Sequence, residues 1–357
     1  MMVRPLTCST RVLKIHPDTP EEGPLQEAAE VLLHGGLVAF PTETVYGLGA
    51  LALNPEAVKR IYQAKGRPAA DPLIVHGLDL PMLQPLTPLD LSRLEGLRQF
   101  WPGPLTLVVP RGAQVPLEVT AGLDAVALRI PAHPVARGLL ATVKAPIAAP
   151  SANAFTRPSA TEARHVLQDL SDRFELLLDG GPTLHGLEST VIDLTEEVPT
   201  LLRPGALTPE LLQPLFPNLL LPAPRFEGEQ VALKSPGTQL KHYAPRARMT
   251  LFKGSSQAVR QAMRDELEAH LALGLRVGLL LCEEDLLAFQ DLPVELASLG
   301  SQTRLEEAGA RLFGGLRLLD ERRVEVILST LFEEAGLGRT LNDRLIRASE
   351  GRVRPVP

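Results

Sequence analysis

This 357-residue chain holds two cysteines, one tryptophan and three tyrosines, and its aromatic content is only 4%. Cys8 and Cys282 stand too far apart to form a metal or redox motif, so neither a disulfide framework nor a zinc knuckle is expected. A reducing compartment, the cytoplasm, is the default. Scarce aromatics leave no evident platform for stacking bases. A formal net charge of −6 argues against constitutive gripping of RNA or DNA along a broad surface, while leaving local basic patches open. No apolar run is long enough to cross a bilayer, and the N-terminus carries no secretory apolar core. Arg4, Arg11 and Lys14 precede the first acid, as in a short transit peptide, but residues 10–15 read as an ordinary first strand. The chain also lacks a phosphate-binding P-loop, an H-E-x-x-H zinc motif and a G-x-S-x-G nucleophile elbow.

What is present is a soluble, globular composition: 45% apolar and 22% charged residues. The length exceeds one ordinary core and predicts two domains. Thr19 and Pro20 mark a helix start, Leu25, Ala28, Ala29 and Leu32 follow at helical spacing, and Gly35-Gly36 ends it. A second helix is expected over 55–64, and further helices over 134–143 and 161–170. Strand-like runs recur at 37–40, 73–76, 105–109, 125–130, 146–149, 176–178 and 190–194. The mixture predicts a twisted mixed sheet with helices over residues 10–208. Residues 209–247 are rich in proline and read as a linker too long to be only a spacer. Over 248–350 strands and helices alternate with short connections, which predicts a smaller open parallel sheet.

The most informative segment is Pro41-Thr-Glu-Thr-Val-Tyr-Gly47 with Lys65-Gly-Arg67 behind it. An apolar strand breaks into hydroxyls and a carboxylate, and a basic pair follows. Gly47-Leu-Gly49-Ala-Leu-Ala52 matches a dinucleotide fingerprint, with Asp71 at a suitable distance, but a Rossmann strand runs straight into its first glycine and this one does not. Other apolar strands also border hydroxyls or bases: Ser151 and Asn153, Glu188 and Ser189, and Arg203. Arg129 lies inside an apolar strand, where an unpaired charge is costly. It either pairs with a structural carboxylate or clamps that of a ligand. Each group has a plain alternative: strand-end serines as caps, Lys65-Gly-Arg67 as a solvated helix exit, His76 as a core histidine. Together, at converging strand ends, they can line one crevice for a nucleotide and a small acid.

In order along the chain, Pro41–Gly47, Lys65–Pro68, Pro72–His76, Trp101–Thr106, Ala127–Pro131, Ala149–Asn153, Ser189–Val191 and Arg203–Gly205 resemble the threonylcarbamoyl-AMP synthase family, the YrdC-like proteins. Ser235-Pro-Gly237 and His242-Tyr-Ala-Pro245 resemble the linker of its long two-domain branch, whose C-terminal domain is Rossmann-like. The resemblance implies synthesis of threonylcarbamoyl-AMP and pyrophosphate from L-threonine, bicarbonate and ATP with Mg2+. The product would supply a tRNA threonylcarbamoyl-transfer machinery acting beside the anticodon, with tRNA contact at most weak. Residue by residue it implies threonine near Thr44, His76, Arg129, Ala149 and Ser189. It implies ATP near Lys65, Arg67, Asp71, Ala125, Ser151, Asn153, Ser159, Arg203 and Tyr243, with Lys65 and Arg67 neutralising phosphate charge and residues 235–245 as a lid. Two departures stand out: Asp71, where the family often has Asn or His, and Thr238–Lys241, unlike the usual linker. Metal ligands are unassigned, with Glu43 and Glu188 as candidates. Two other function classes compete. One is an RNA-binding module without catalysis. The other is a carbamoyl-transfer domain like those of hydrogenase-maturation proteins, whose zinc-binding region this chain lacks.

Overall fold

A computed structural model describes residues 9–221 and 243–357. Among them, residues 9–155 and 159–221 form one compact unit, and residues 156–158 and 243–357 another.

The first unit is built on a ten-stranded mixed sheet. Its strands are β1 (Arg11–Lys14), β2 (Val38–Phe40), β3 (Gly47–Leu51), β4 (Ile74–His76), β5 (Leu105–Pro110), β6 (Ala125–Arg129), β7 (Ile147–Ala148), β8 (Leu176–Asp179), β9 (Thr190–Asp193) and β10 (Thr200–Arg203). Their order is β1-β8-β2-β3-β7-β4-β6-β5-β9-β10. β2 runs antiparallel to β3 and parallel to β8; β6 runs parallel to β4 and antiparallel to β5.

Strand periodicity explains the layering. Leu37 and Ala39 enter one apolar cluster, whereas Val38 and Phe40 enter another. A strand buried on both faces needs a continuous apolar run, which is what residues 37–40 supply. Helices Glu22–Leu33 and Pro134–Val143 cover one face through Leu25, Ala28, Ala29, Leu32, Val135 and Leu139. Helix Pro55–Lys65 covers the other through Ala57, Val58 and Ile61. Asn54 caps that helix by accepting from the N–H groups of Glu56 and Ala57, and Gly66 ends it at φ 64°.

Several expectations need correction. The first helix starts at Glu22, and Thr19 instead bonds His16 Nδ1, so Thr19 is not its cap. Residues 47–51 are a strand, which removes the dinucleotide loop. The apolar strand expected to border Arg203 spans Thr200–Arg203, four residues between polar turns. Residues 209–212 are helical, with Leu212 buried in the first unit's core, so part of the proline-rich stretch belongs to that unit. The segments Ser235–Gly237 and Thr238–Lys241 lie outside the described residues.

The second unit carries β11 (Arg248–Lys253), β12 (Val277–Leu281), β13 (Glu295–Ser298), β14 (Val326–Thr330) and β15 (Val353–Pro355). Their order is β13-β12-β14-β11-β15, with every pairing parallel. Helices Ser256–Ala272, Leu305–Glu321 and Leu337–Ala348 connect the strands, as parallel pairing requires. β15 was not expected from the sequence.

Candidate active site

The site lies on one face of β4, β6, β5 and β9. Register places His76 beside Arg129, Arg129 beside Thr106, and Thr106 beside Val191. Odd and even residues part here. Val75, Leu128, Leu107 and Ile192 enter the main core, while Ile74, Ala127, Val108 and Val191 form a small separate apolar cluster that Ala125 and Leu202 border. His76, Arg129 and Thr106 share the second face by alternation. Ala125 shares it too, at the opposite end of β6 from Arg129. The result is a small apolar floor edged by polar groups.

At one edge stands Arg129, buried and 2.6 Å from Glu43 through Nη2. Its Nε points to the Gly103 carbonyl at 3.4 Å, and Nη1 has no partner among the described residues. The other Glu43 oxygen accepts from the N–H groups of Ala132 and His133 at 3.0 and 3.4 Å. Burial opposes the Glu43 charge, but Arg129 and the backbone N–H groups of Glu43 and Ala132 hold its pKa below the usual carboxylate range. Glu43 is thereby committed to a cation and two amides, which removes it as a metal-ligand candidate. Thr42 donates to the Val45 carbonyl at 2.7 Å, so the 2.7 Å contact between Thr42 and Thr44 spends the Thr44 proton. Thr44 is left as an acceptor. His76 is buried, and its Nδ1 has no partner among the described residues. Burial, then the Arg129 charge, lowers its pKa to about 3, so the ring is neutral.

Ser189 closes this edge. Its hydroxyl lies 2.7 Å from Thr106 Oγ1, and Arg203 Nη2 donates to both its Oγ and its carbonyl at 3.1 and 3.0 Å. Gly205 makes the close approach possible, since a Cβ there would sit 2.3 Å from the Thr190 nitrogen. Ala149 follows β7 and donates its N–H to the Ile74 carbonyl.

At the other edge the reading of Lys65 and Arg67 as a solvated helix exit fails, because they are only 2% and 6% exposed. Lys65 donates to the carbonyls of Ser151 and Asn153, tying the helix end to that loop. Arg67 donates to the carbonyls of Asp71 and Pro72 and lies 2.7 Å from Asp71 Oδ1. Burial raises the Asp71 pKa, opposed in turn by Arg67, Lys65 and Arg203. One carboxylate thus lies within electrostatic reach of all three bases. Ser159 donates to Glu188 at 2.5 Å, so Glu188 is engaged. Tyr243 belongs to the second unit, where its ring stacks 5.1 Å from Phe313 with Arg344 over it at 5.2 Å.

The sequence reading gave Thr42 no role beyond its place in the Pro41–Gly47 turn, and missed Thr106 as a site residue. The signal available for Thr106 was a lone hydroxyl in an otherwise apolar run. Among the described residues no group of three or more His, Cys, Asp or Glu can hold a metal by itself.

The chain has relatives among known proteins. The Sua5, YciO and YrdC family model, described as "Telomere recombination", matches residues 30–205. A model described as "Threonylcarbamoyl-AMP synthase, C-terminal domain" matches residues 207–350. The chain is similar to threonylcarbamoyl-AMP synthase of Pyrococcus abyssi, 43% identical over 93% of this chain and 96% of that one. It is also similar to the Bacillus subtilis protein of that name, 40% identical over 92% and 94%. The crystal structure of P. abyssi Sua5 complexed with L-threonine superposes with a TM-score of 0.90 at 40% identity, over 97% of this chain and all of that one. The chain therefore belongs to the threonylcarbamoyl-AMP synthase family and is an enzyme of its nucleotidyltransferase class.

Proposed function

We propose that this enzyme converts L-threonine, bicarbonate and ATP to threonylcarbamoyl-AMP, pyrophosphate and water. The threonine nitrogen attacks the carbon of bicarbonate, whose C–OH bond breaks to release water, or of the CO2 that bicarbonate yields on losing water; it gives up a proton and becomes a carbamate. A carbamate oxygen then attacks the α-phosphorus of ATP, and the bond to the β-phosphate oxygen breaks. No protein nucleophile is required. Positioning and charge neutralisation carry the catalysis.

The observation that carries this reading is the uncommitted Nη1 of Arg129, beside neutral His76 and on a face bordered by Thr106 and Ser189. Arg129 receives the threonine carboxylate, and Glu43 holds the guanidinium for it. Thr44 accepts a hydrogen from the nitrogen, while His76 and Ser189 bracket the rest of the amino acid and Ala149 contributes backbone. Lys65, Arg67 and Arg203 face the polyphosphate, with Ser151, Asn153, Ser159 and Ala125 along the nucleotide. A divalent cation, Mg2+, supplies further neutralisation of phosphate charge when bound. The product is a reactive mixed anhydride for transfer to the adenosine beside the tRNA anticodon by a downstream transferase, in the cytoplasm.

The test is pyrophosphate release from ATP by the purified chain. Release that requires both threonine and bicarbonate is expected; release with neither present overturns the reading.

A further inference from the structure

Asp71 is 1% exposed, and its two oxygens have different surroundings. Oδ1 is 2.7 Å from Arg67, which accounts for a carboxylate as counter-ion. Neither oxygen has a hydrogen-bond partner of good geometry among the described residues, and Oδ2 has no ion-pair partner there either. The nearby bases do not serve it: Lys65 donates to the Ser151 and Asn153 carbonyls, and Arg203 donates to Ser189. A buried acceptor left open costs free energy unless a ligand completes it.

The charge balance points the same way. Lys65, Arg67 and Arg203 against Asp71 leave about two positive charges, while a fully ionised triphosphate brings about four negative ones, and a divalent cation closes the difference. Mg2+ is commonly held by one or two carboxylates plus substrate phosphates, without a dedicated protein cage. The described residues offer no such cage. We infer that Asp71 is the protein ligand of the divalent cation that enters with the polyphosphate, binding it through Oδ2 while Arg67 holds Oδ1. This rests on the nucleotide reading of the Lys65, Arg67 and Arg203 cluster.

The test uses the full chain with Mn2+ and α,β-methylene ATP, which cannot be cleaved. In wild-type protein labelled with 13C at the aspartate carboxyl, electron–nuclear double resonance is expected to show Mn2+ coupled to an aspartate carbon. In Asp71→Asn that coupling is lost, and Mn2+ retention by the nucleotide complex falls by about tenfold or more. Nucleotide bound to the wild type with no aspartate coupling, or with coupling that persists in Asp71→Asn, overturns the inference alone. Failure of the nucleotide to bind the wild type, with or without Mn2+, overturns the inference together with the nucleotide reading. The spectrum of the labelled wild type is decisive whether or not the variant folds.

Discussion

Arg129 Nη2 and Glu43 Oε1 lie 2.6 Å apart in a buried pair that engages one terminal nitrogen of the guanidinium and leaves the other. The same carboxylate accepts from the backbone where helix Pro134–Val143 begins, so a turn, a strand end and a helix start are fixed together. An arginine alone at this place would be a costly buried charge; paired on one edge, it is a prepared receptor for a carboxylate.

Removing Glu43 should therefore cost both stability and recognition. Glu43→Ala is expected to lose about 3–5 kcal/mol, because an uncompensated buried charge remains. Chemical denaturation measures it. Glu43→Gln keeps the shape, and should raise the threonine KM by about tenfold or more with a smaller change in kcat. Because the folded pKa of Glu43 is depressed, its stabilisation is full above the unfolded carboxylate pKa of 4.5 and is lost as pH falls through the folded value. A Glu43→Gln chain whose acid unfolding matches that of the wild type contradicts this account.

His76 should stay neutral across the working pH range. Its folded pKa of about 3 lies below the unfolded 6.5, so between these values the unfolded chain binds a proton that the folded one does not. Its contribution to stability is accordingly full above pH 6.5 and declines as pH falls toward 3. The ring proton resonances, followed by NMR from pH 8 to 5, are expected not to move. A midpoint near the free-histidine value rules this out.

Gly205→Ala places a methyl 2.3 Å from the Thr190 nitrogen and 2.5 Å from the Glu188 carbonyl oxygen. Backbone has no flexible end to yield, so the start of β9 must shift and Ser189 with it. We expect a loss of about 1–3 kcal/mol, the cost of overpacking, together with weaker threonine binding by calorimetry. Unchanged affinity would mean that Ser189 keeps its place.

Cys282 is 3% exposed, and burial followed by Glu284, Asp285 and Glu283 pushes its thiol up to about 12. Thiolate is the reactive form. In a Cys8→Ser background the folded chain should not react with a disulfide reagent at pH 8, and one thiol should appear on denaturation. Rapid labelling of the folded chain refutes it.

Most helices and strands were legible because each is written locally. Helix Pro134–Val143 occupies the expected residues, and residues 37–40 announce a strand buried on both faces. Where local signals were weak the reading failed. Gly47–Leu51 is glycine-rich and resembles a loop until β2 and β7 pair with it on either side. Thr19 has the chemistry of a cap, yet His16 claims its hydroxyl. The identities of the site residues came from motifs, and motifs do not say which atoms are already spent.

The sequence by itself determined the order of the elements, the division into a mixed sheet and a parallel one, and the chemical kinds of side chain at the strand ends. Hydrophobic periodicity and turn chemistry act over a few residues, so they survive in one dimension. Tertiary structure alone decided how those side chains are used: that Glu43 holds one edge of Arg129, that Thr106 joins Ser189, and that Asp71 keeps an oxygen open amid three bases. These are relations between strands far apart in sequence, set by register and by burial. Only the folded sheet fixes which polar atoms are satisfied and which are left for a ligand.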